Sequence, residues 1–179
     1  MKIVCLGWGS LIWEPKALPV AEKWHNDGPK LQIEFSRIGD GGELSTAICL
    51  NAPEVPVFWT RLSTTTLGEA CEALRQREQI PDRRQDGVGV LLVSTAPVGK
   101  LSAWAKGKDI EAIIWTALPP RIHHIEGRIP SVEEALCYLD GLQGEMRDHA
   151  RRYIEQTPTQ IDTPYRRVIA QTLGWEREA

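Results

Sequence analysis

The chain has 179 residues, of which 42% are hydrophobic and 25% charged, and its formal net charge is −3. These values are typical of one soluble globular domain with its own core, or of two small subdomains at most, and a single domain is expected over residues 1–179. The mildly acidic balance argues against a protein that binds nucleic-acid phosphates, and no apolar run approaches the roughly 20 residues that a membrane span needs. No signal-peptide pattern follows Lys2, so a cytoplasmic location is the default expectation.

The first element is a short apolar run, Met1–Leu6, which is rich in Ile and Val and predicts a buried strand. It leads into the loop Gly7-Trp8-Gly9-Ser10-Leu11-Ile12-Trp13-Glu14-Pro15. Two glycines spaced by one residue let the backbone approach a bound group and present successive N–H donors, and Ser10 adds a hydroxyl. Such a loop suits a carboxylate or an oxyanion. An ordinary turn with buried tryptophans is the alternative, because a lone Gly-x-Gly is a weak signal.

Three strands are predicted over the next part of the chain. Residues Lys30–Arg37 alternate apolar and polar side chains, as in a half-buried strand. A glycine-rich turn separates them from a second strand, Leu44–Leu50, so that the two form a hairpin. A third strand is expected over Val55–Leu62, where Pro56 favours the strand start or a sheet edge.

A helix is predicted over Leu67–Gln79, since its apolar residues recur at helical spacing and Pro81 opposes its continuation. Glu78 is therefore expected at or just past the C-terminus of this helix. There the helix dipole disfavours a carboxylate, so the pKa of Glu78 is expected to rise. The alternative is a solvated glutamate that pairs with Arg75 or Arg77.

The second half of the chain carries further predicted elements. They are a strongly apolar central strand over Gly87–Ser94, a strand over Asp109–Leu118, a loop over Arg121–Pro130, a helix over Val132–Tyr153 and a short helix over Tyr165–Leu173. Ser131, followed by a glutamate three residues later, predicts a capping box at the start of the long helix. Gly141 or Gly144 is expected to interrupt that helix. The sheet core is thus expected in residues 1–125 and a helical part in residues 131–179.

The cysteines and histidines do not form a metal-binding pattern. The four cysteines are scattered and have apolar neighbours, which predicts buried, reduced thiols: Cys5, Cys49, Cys71 and Cys137. His123 and His124 are adjacent, and neighbouring side chains on a strand point to opposite faces, so they would not easily share an ion. The sequence therefore predicts neither a metal site nor a cofactor.

The opening loop and the helix end at Glu78 together resemble the γ-glutamylcyclotransferase superfamily, and most closely its ChaC-like, glutathione-directed branch. That family opens with an apolar strand and a Tyr-Gly-Ser-Leu or Tyr-Gly-Ser-Asn loop, often followed by Ile-Trp and a proline. The corresponding stretch here is Trp8-Gly9-Ser10-Leu11-Ile12-Trp13-Glu14-Pro15, with Trp8 in the place of the family's tyrosine. The family also ends a helix in Arg-Glu, matched here by Arg77-Glu78, and that glutamate is its catalytic base. The resemblance covers about residues 1–80.

The resemblance implies an α+β fold in which a mixed, mostly antiparallel sheet curls into a small barrel with flanking helices. It implies an enzyme that releases 5-oxoproline from a γ-glutamyl amine or peptide, glutathione included, with Glu78 as general acid and base. The substrate would bind at the opening loop, at Gly7, Trp8, Gly9, Ser10 and Leu11. Trp13, Trp59 and Tyr165 are candidates for the pocket wall, with core packing as the alternative for the tryptophans. The protein would act without cofactor, as a monomer or homodimer.

Two other interpretations stay open at this point. The chain is either a non-catalytic member of the same fold that binds a small metabolite or a protein partner, or an unrelated small α/β domain. Trp8 favours the first of these, because replacing the family's tyrosine removes a phenol hydroxyl.

Overall fold

The computed structural model describes residues 1–94 and 98–177. Its strands are β1 (Ile3–Gly7), β2 (Lys30–Ile38), β3 (Leu44–Ile48), β4 (Glu54–Pro56), β5 (Phe58–Arg61), β6 (Val88–Leu92), β7 (Ala112–Thr116), β8 (Arg121–Ile122) and β9 (Ile125–Glu126). Its helices are α1 (Leu67–Arg77), α2 (Lys100–Ala105), α3 (Val132–Asp140), α4 (Gly144–Gln156) and α5 (Pro164–Leu173). The predicted fold class is confirmed: the fold is α+β, with mixed sheets, one of them a curled half-barrel, and flanking helices. None of the described helices combines the length and the apolar character needed to cross a membrane.

The chain divides into two compact units. The first unit consists of Met1–Gly7, Glu14–Lys30 and Pro56–Leu118. The second unit consists of Trp8–Trp13, Leu31–Val55 and Pro119–Ala179. The single domain expected over residues 1–179 stays a prediction.

The sheet of the first unit has the strand order β5-β1-β7-β6 within the described residues. The strand β1 is antiparallel to β5 and parallel to β7, and β6 closes the order antiparallel to β7. All five residues of β1 are buried, as the apolar run at the start of the chain predicts. Helix α1 contacts β7 and β6, and Cys5 on β1 lies near Cys71 on that helix. The face of the sheet that carries Cys5 therefore faces α1.

The sheet of the second unit has the order β3-β2-β8-β9, with β4 also paired to β2. The predicted hairpin is present, since β2 and β3 are antiparallel, and an irregularity interrupts their register between Phe35 and Arg37. Helix α4 contacts β3, and α3 contacts α5. The predicted capping box is also present: Ser131 accepts from the Glu134 N–H, and the Glu134 side chain accepts from the Ser131 N–H.

Some predicted elements differ from those observed. The strand over Gly87–Ser94 is present as β6, but its predicted central position is wrong, because β6 stands at one end of its sheet in the described part of the chain. The single strand expected over Val55–Leu62 is two short strands, β4 and β5. The loop expected over Arg121–Pro130 contains the hairpin β8-β9, whose turn holds His123 and His124 at φ of 52° and 61°. Strands of two residues are too short to show an apolar alternation, so their pairing has no local sequence signal.

The prediction for the long helix is confirmed in its interruption, and the prediction for the cysteines is wrong in part. The helix expected over Val132–Tyr153 is interrupted as predicted, because α3 ends at Asp140 and α4 begins at Gly144. The last two residues of the helical part expected over 131–179 lie outside the described residues. The prediction of buried thiols holds for Cys5 and Cys49 but is wrong for Cys137, which is exposed on the solvent side of α3, while Cys71 is half-buried.

Candidate functional site

Glu78 lies at the end of α1, as predicted. Its backbone forms the C-cap, and its N–H donates to the Leu74 carbonyl at 3.0 Å. At the other end of the helix, the side chain of Thr66 accepts from the Glu69 N–H and caps the N-terminus. Both ends of α1 are thus fixed by hydrogen bonds, which gives Glu78 a defined backbone position.

The two residues after Glu78 form a Schellman motif. The Gln79 N–H donates to the Gln76 carbonyl at 3.2 Å, and the Ile80 N–H donates to the Arg75 carbonyl at 3.0 Å. Gln79 occupies the left-handed position of this motif, with φ at 55°, where glycine is usual. The helix therefore stops directly after Glu78 even though no glycine marks the stop.

The carboxylate of Glu78 is held by its neighbours but not enclosed. Its side chain is 18% exposed. Thr116 Oγ1 donates to Glu78 Oε1 at 3.2 Å, and Arg77 Nη1 lies 3.9 Å from the same oxygen. A carboxylate that is oriented by a hydroxyl and still reached by solvent has the placement that a general acid or base needs.

Thr116 and Gly7 lie at the same end of the first unit's sheet. Thr116 is the last residue of β7, Gly7 is the last residue of β1, and these two strands are parallel. In open α/β sheets, ligands bind outside the carboxyl ends of parallel strands. The structure therefore places Glu78, through Thr116, at the end of the first unit's sheet at which Gly7 lies.

Cys5 lies beside Glu78 but is not an activated nucleophile. Burial is the main cause that raises the pKa of the Cys5 thiol far above its ordinary value, and the negative charge of Glu78 adds to it. A thiol in this state stays protonated at neutral pH. The local chemistry thus points to the carboxylate rather than to the sulfur.

Two arginines near Glu78 have different roles. Arg75 donates twice to the carbonyl of Arg84, at 2.9 Å and 2.7 Å, and so fastens the loop that follows the helix. The side chain of Arg77 is only 7% exposed, and its Nε donates to the Glu14 carbonyl at 2.9 Å. Of the two cations considered as partners of Glu78, Arg77 is the one found next to its carboxylate.

Within the opening loop, residues Trp8–Trp13 belong to the second unit, whereas Gly7, Glu14 and Pro15 belong to the first. A turn closes the loop, since the Ile12 N–H donates to the Gly9 carbonyl at 3.0 Å. The Trp8 carbonyl accepts from Thr46 Oγ1 at 3.0 Å, which ties the loop to β3. Trp8 and Leu11 are buried, whereas Ser10 and Trp13 are half-buried.

Gly9 is needed where it stands because Tyr153 approaches it closely. A Cβ atom at position 9 would lie 2.3 Å from the Tyr153 hydroxyl oxygen and 2.5 Å from Thr46 Oγ1. The same Tyr153 oxygen accepts from the Thr46 N–H at 3.2 Å, and the ring of Trp13 packs edge-on against Tyr153 at 5.3 Å. Sequence analysis missed Tyr153. Its position on a predicted helix indicates that it is buried, but its partners Thr46 and Trp13 are distant in sequence and no local pattern identifies them.

Trp59 and Tyr165, the other candidates for a pocket wall, have structural contacts. Trp59 pairs with Leu6 and so points to the face of the sheet opposite to Cys5. Its indole N–H donates to Asp27 at 2.8 Å, which fits the core-packing alternative. Tyr165 donates its hydroxyl to the Pro130 carbonyl at 2.6 Å, and burial raises the pKa of this hydroxyl.

A second carboxylate that sequence analysis missed is Glu34 on β2, which is 2% exposed. It accepts the Thr163 hydroxyl at 2.5 Å, the Phe35 N–H at 2.9 Å and the Tyr165 N–H at 3.3 Å. Burial raises the pKa of Glu34 despite these hydrogen bonds, which act in the opposite direction. Thr163 is also the N-cap of α5, so Glu34 anchors the start of that helix.

Among residues 1–94 and 98–177, no group of three or more His, Cys, Asp or Glu side chains is arranged to hold a metal ion. The predicted site residues fall in both units: Gly7, Trp59 and Glu78 in the first, and Trp8, Gly9, Ser10, Leu11, Trp13 and Tyr165 in the second. Their joint action stays a prediction. Comparison of the chain with protein-family models, with curated proteins and with solved structures finds no match.

Proposed function

We propose that the chain is a γ-glutamylcyclotransferase-like enzyme that releases 5-oxoproline from a γ-glutamyl amine or peptide, with glutathione among the candidate substrates. The observation that carries this proposal is the carboxylate of Glu78, oriented by Thr116 and partly exposed at the end of α1. The proposal includes a cytoplasmic location and a monomer or homodimer without a nucleic-acid partner.

In the proposed reaction, Glu78 takes a proton from the α-ammonium group of the γ-glutamyl substrate. The resulting amine attacks the γ-carbonyl carbon of the same molecule, and a five-membered ring forms. The bond from that carbon to the leaving nitrogen then breaks as Glu78 returns its proton to that nitrogen. The ring nitrogen gives its second proton to the departing amine, which leaves as an ammonium. The reaction is intramolecular, so holding the substrate in a bent conformation supplies much of the rate.

Two features of the first unit support direct acid–base chemistry. Thr116 fixes Oε1 of Glu78 in one direction, which favours transfer of a proton between two positions on one substrate. Cys5, the nearby thiol, is kept protonated by burial and by the charge of Glu78. An acyl-enzyme on sulfur would need a thiolate, so the carboxylate is the better candidate for the reacting group.

The resemblance assigns the glutamyl end of the substrate to the opening loop. In that assignment, backbone N–H groups around Gly9, Ser10 and Leu11 hold the α-carboxylate or a developing oxyanion. The hydroxyl of Ser10, which is half-buried, adds one side chain that is able to donate.

A non-catalytic protein that binds a small metabolite is the second candidate function. The observation in its favour is Arg77, whose Nη1 lies 3.9 Å from Glu78 Oε1 and whose side chain is largely buried. A cation at this distance favours the charged carboxylate and so opposes the uptake of a proton during turnover. In that case Glu78 would contribute charge to a binding site without transferring protons.

The test is release of 5-oxoproline from a panel of γ-glutamyl amines and peptides, glutathione included. We expect release by the wild-type protein and a loss of at least about 100-fold in Glu78→Gln, the range for removal of a general acid–base. Glu72→Gln is the matched control, because Glu72 is an exposed glutamate on the same helix. Release that survives in Glu78→Gln would show that another group is the base. No release from any substrate would favour the binding protein.

A further inference from the structure

Three apolar residues of β6 form a row along one face of the first unit's sheet. Side chains alternate along a strand, so Val88, Val90 and Leu92 point to the same face, and we call them the β6 strip. Val90 is 42% exposed and Leu92 is 58% exposed, which is unusual for apolar side chains on the strand of a mixed sheet. The strip shares the face on which α1 packs, because Val90 pairs with Ile114 and Ile114 pairs with Cys5. The exposure of Val90 and Leu92 shows that α1 leaves this part of the face uncovered.

The β6 strip begins beside the Thr116–Glu78 pair. Val88 pairs with Thr116 in the register of β6 and β7, and directly opposite residues share one face of a sheet. Thr116 donates to Glu78 on that face. Two residues advance a strand by roughly 6.8 Å, so the strip leads away from the candidate base for roughly 13 Å and becomes more exposed along the way.

The composition of β6 also suits a binding surface. In the described part of the chain, β6 stands at one end of its sheet, and its five residues, Val88–Leu92, include neither a charged residue nor a proline. Edge strands usually carry such residues, because they prevent unwanted pairing. An exposed, uncharged row that starts at a candidate catalytic carboxylate is better explained by a ligand that covers it.

We infer that the β6 strip binds the leaving group of the γ-glutamyl substrate and selects an apolar one. This inference rests on the proposed function. In the reaction the leaving nitrogen must lie close to Glu78, which returns its proton, and the substituent on that nitrogen extends away from the carboxylate. The strip begins opposite Thr116, which donates to Glu78, and leads away from that pair. Its side chains offer only apolar contacts. The substrate class is therefore γ-glutamyl amides of alkyl or aromatic amines.

The test uses γ-glutamyl methylamide, butylamide and hexylamide as substrates. We expect kcat/KM to rise about fourfold for each CH2 group that the strip covers. In Leu92→Gln and in Val90→Thr, the total gain in kcat/KM from methylamide to hexylamide should be smaller than in the wild type by about threefold or more. Each substitution replaces an apolar contact by a polar one. Leu50→Gln is the matched control: Leu50 is 77% exposed and lies in the second unit. Thermal unfolding checks that all variants fold.

The outcomes separate this inference from the proposed function. Turnover that rises with chain length in the wild type and in Leu50→Gln, but less in the two strip variants, supports both. Turnover that is independent of chain length, or whose dependence is unchanged in Leu92→Gln, overturns the inference and leaves the proposed function standing. If no amide is turned over, calorimetry measures the affinity of the wild type and of Leu92→Gln for the same three amides. If the affinity rises with chain length in the wild type but not in Leu92→Gln, the proposed enzyme activity is overturned and the role of the β6 strip in binding is supported. If the affinity does not depend on chain length, both proposals are overturned.

Discussion

The two units each contain a glutamate that accepts a threonine hydroxyl, and the two glutamates differ in everything else. Glu34 in the second unit is 2% exposed and accepts two backbone N–H groups besides Thr163. The side chain of Glu78 in the first unit is 18% exposed and stands at a helix end beside Thr116. The threonine contact alone therefore does not tell a structural carboxylate from a functional one.

The two glutamates differ in whether their hydrogen-bond partners are able to exchange with water. Backbone N–H groups cannot leave a buried carboxylate without local unfolding, so Glu34 is part of the fold. A carboxylate that solvent still reaches is able to exchange a hydrogen bond with water for one with a ligand. Glu78 has this property, and the comparison makes it the functional candidate of the pair.

The largest expected effect on stability comes from Glu34→Ala. We expect the free energy of unfolding to fall by about 3 kcal/mol, because the substitution leaves buried donors without an acceptor. Glu78→Ala should cost less than about 1 kcal/mol, since its donor is able to bind water instead. Urea unfolding measures both. A loss of equal size in the two variants would remove the distinction between a structural and a functional glutamate.

The pH dependence of stability sharpens the same comparison. Burial raises the pKa of Glu34 above its ordinary value of 4.5, so the folded state favours the protonated carboxyl. The stabilisation from this group is complete below 4.5 and is lost as pH rises through the folded pKa. Wild type should therefore lose stability relative to Glu34→Gln over that window. Urea unfolding of both proteins at several pH values measures it, and parallel curves would contradict the prediction.

The smallest expected effect is at Gln79, next to the candidate base. Glycine adopts the left-handed conformation of this residue more readily, so Gln79→Gly should raise the free energy of unfolding by about 0.5–1 kcal/mol. The control is Gln76→Gly, which places the same residue inside α1 and should lower stability by a similar amount. Thermal unfolding compares the two. Destabilisation by Gln79→Gly would show that the Gln79 side chain makes a contact worth more than the backbone strain.

Local patterns were sufficient for most of the elements and for the position of Glu78, whereas the fold class came from the family resemblance. The helical spacing before Pro81 and the alternation in Lys30–Arg37 are properties of neighbouring residues, and they predicted α1 and β2 closely. The capping box at Ser131 is likewise contained in four consecutive residues. Where a structural feature depends on such short stretches, the sequence alone predicts it.

Features that join distant parts of the chain were not predictable in this way. Glu34 meets Thr163, and Gly9 meets Tyr153, through the packing of elements whose order in space no local pattern specifies. The same holds for the partner of Glu78, since Thr116 reaches it only through the register of β7. Gly9 of the Gly-x-Gly motif is thus required by the close approach of Tyr153, and the residues around Gly9 in the sequence do not indicate this.

The parallel pairs at the centre of both sheets have a consequence for synthesis of the chain. Ile3 pairs with Ala112, and Arg37 pairs with Arg121, so neither sheet is able to close until the later strand has left the ribosome. At typical rates of translation this delay is on the order of ten seconds. During that time β1, which has only uncharged residues, is not paired with β7. Both sheets are therefore expected to be completed late in the synthesis of the chain.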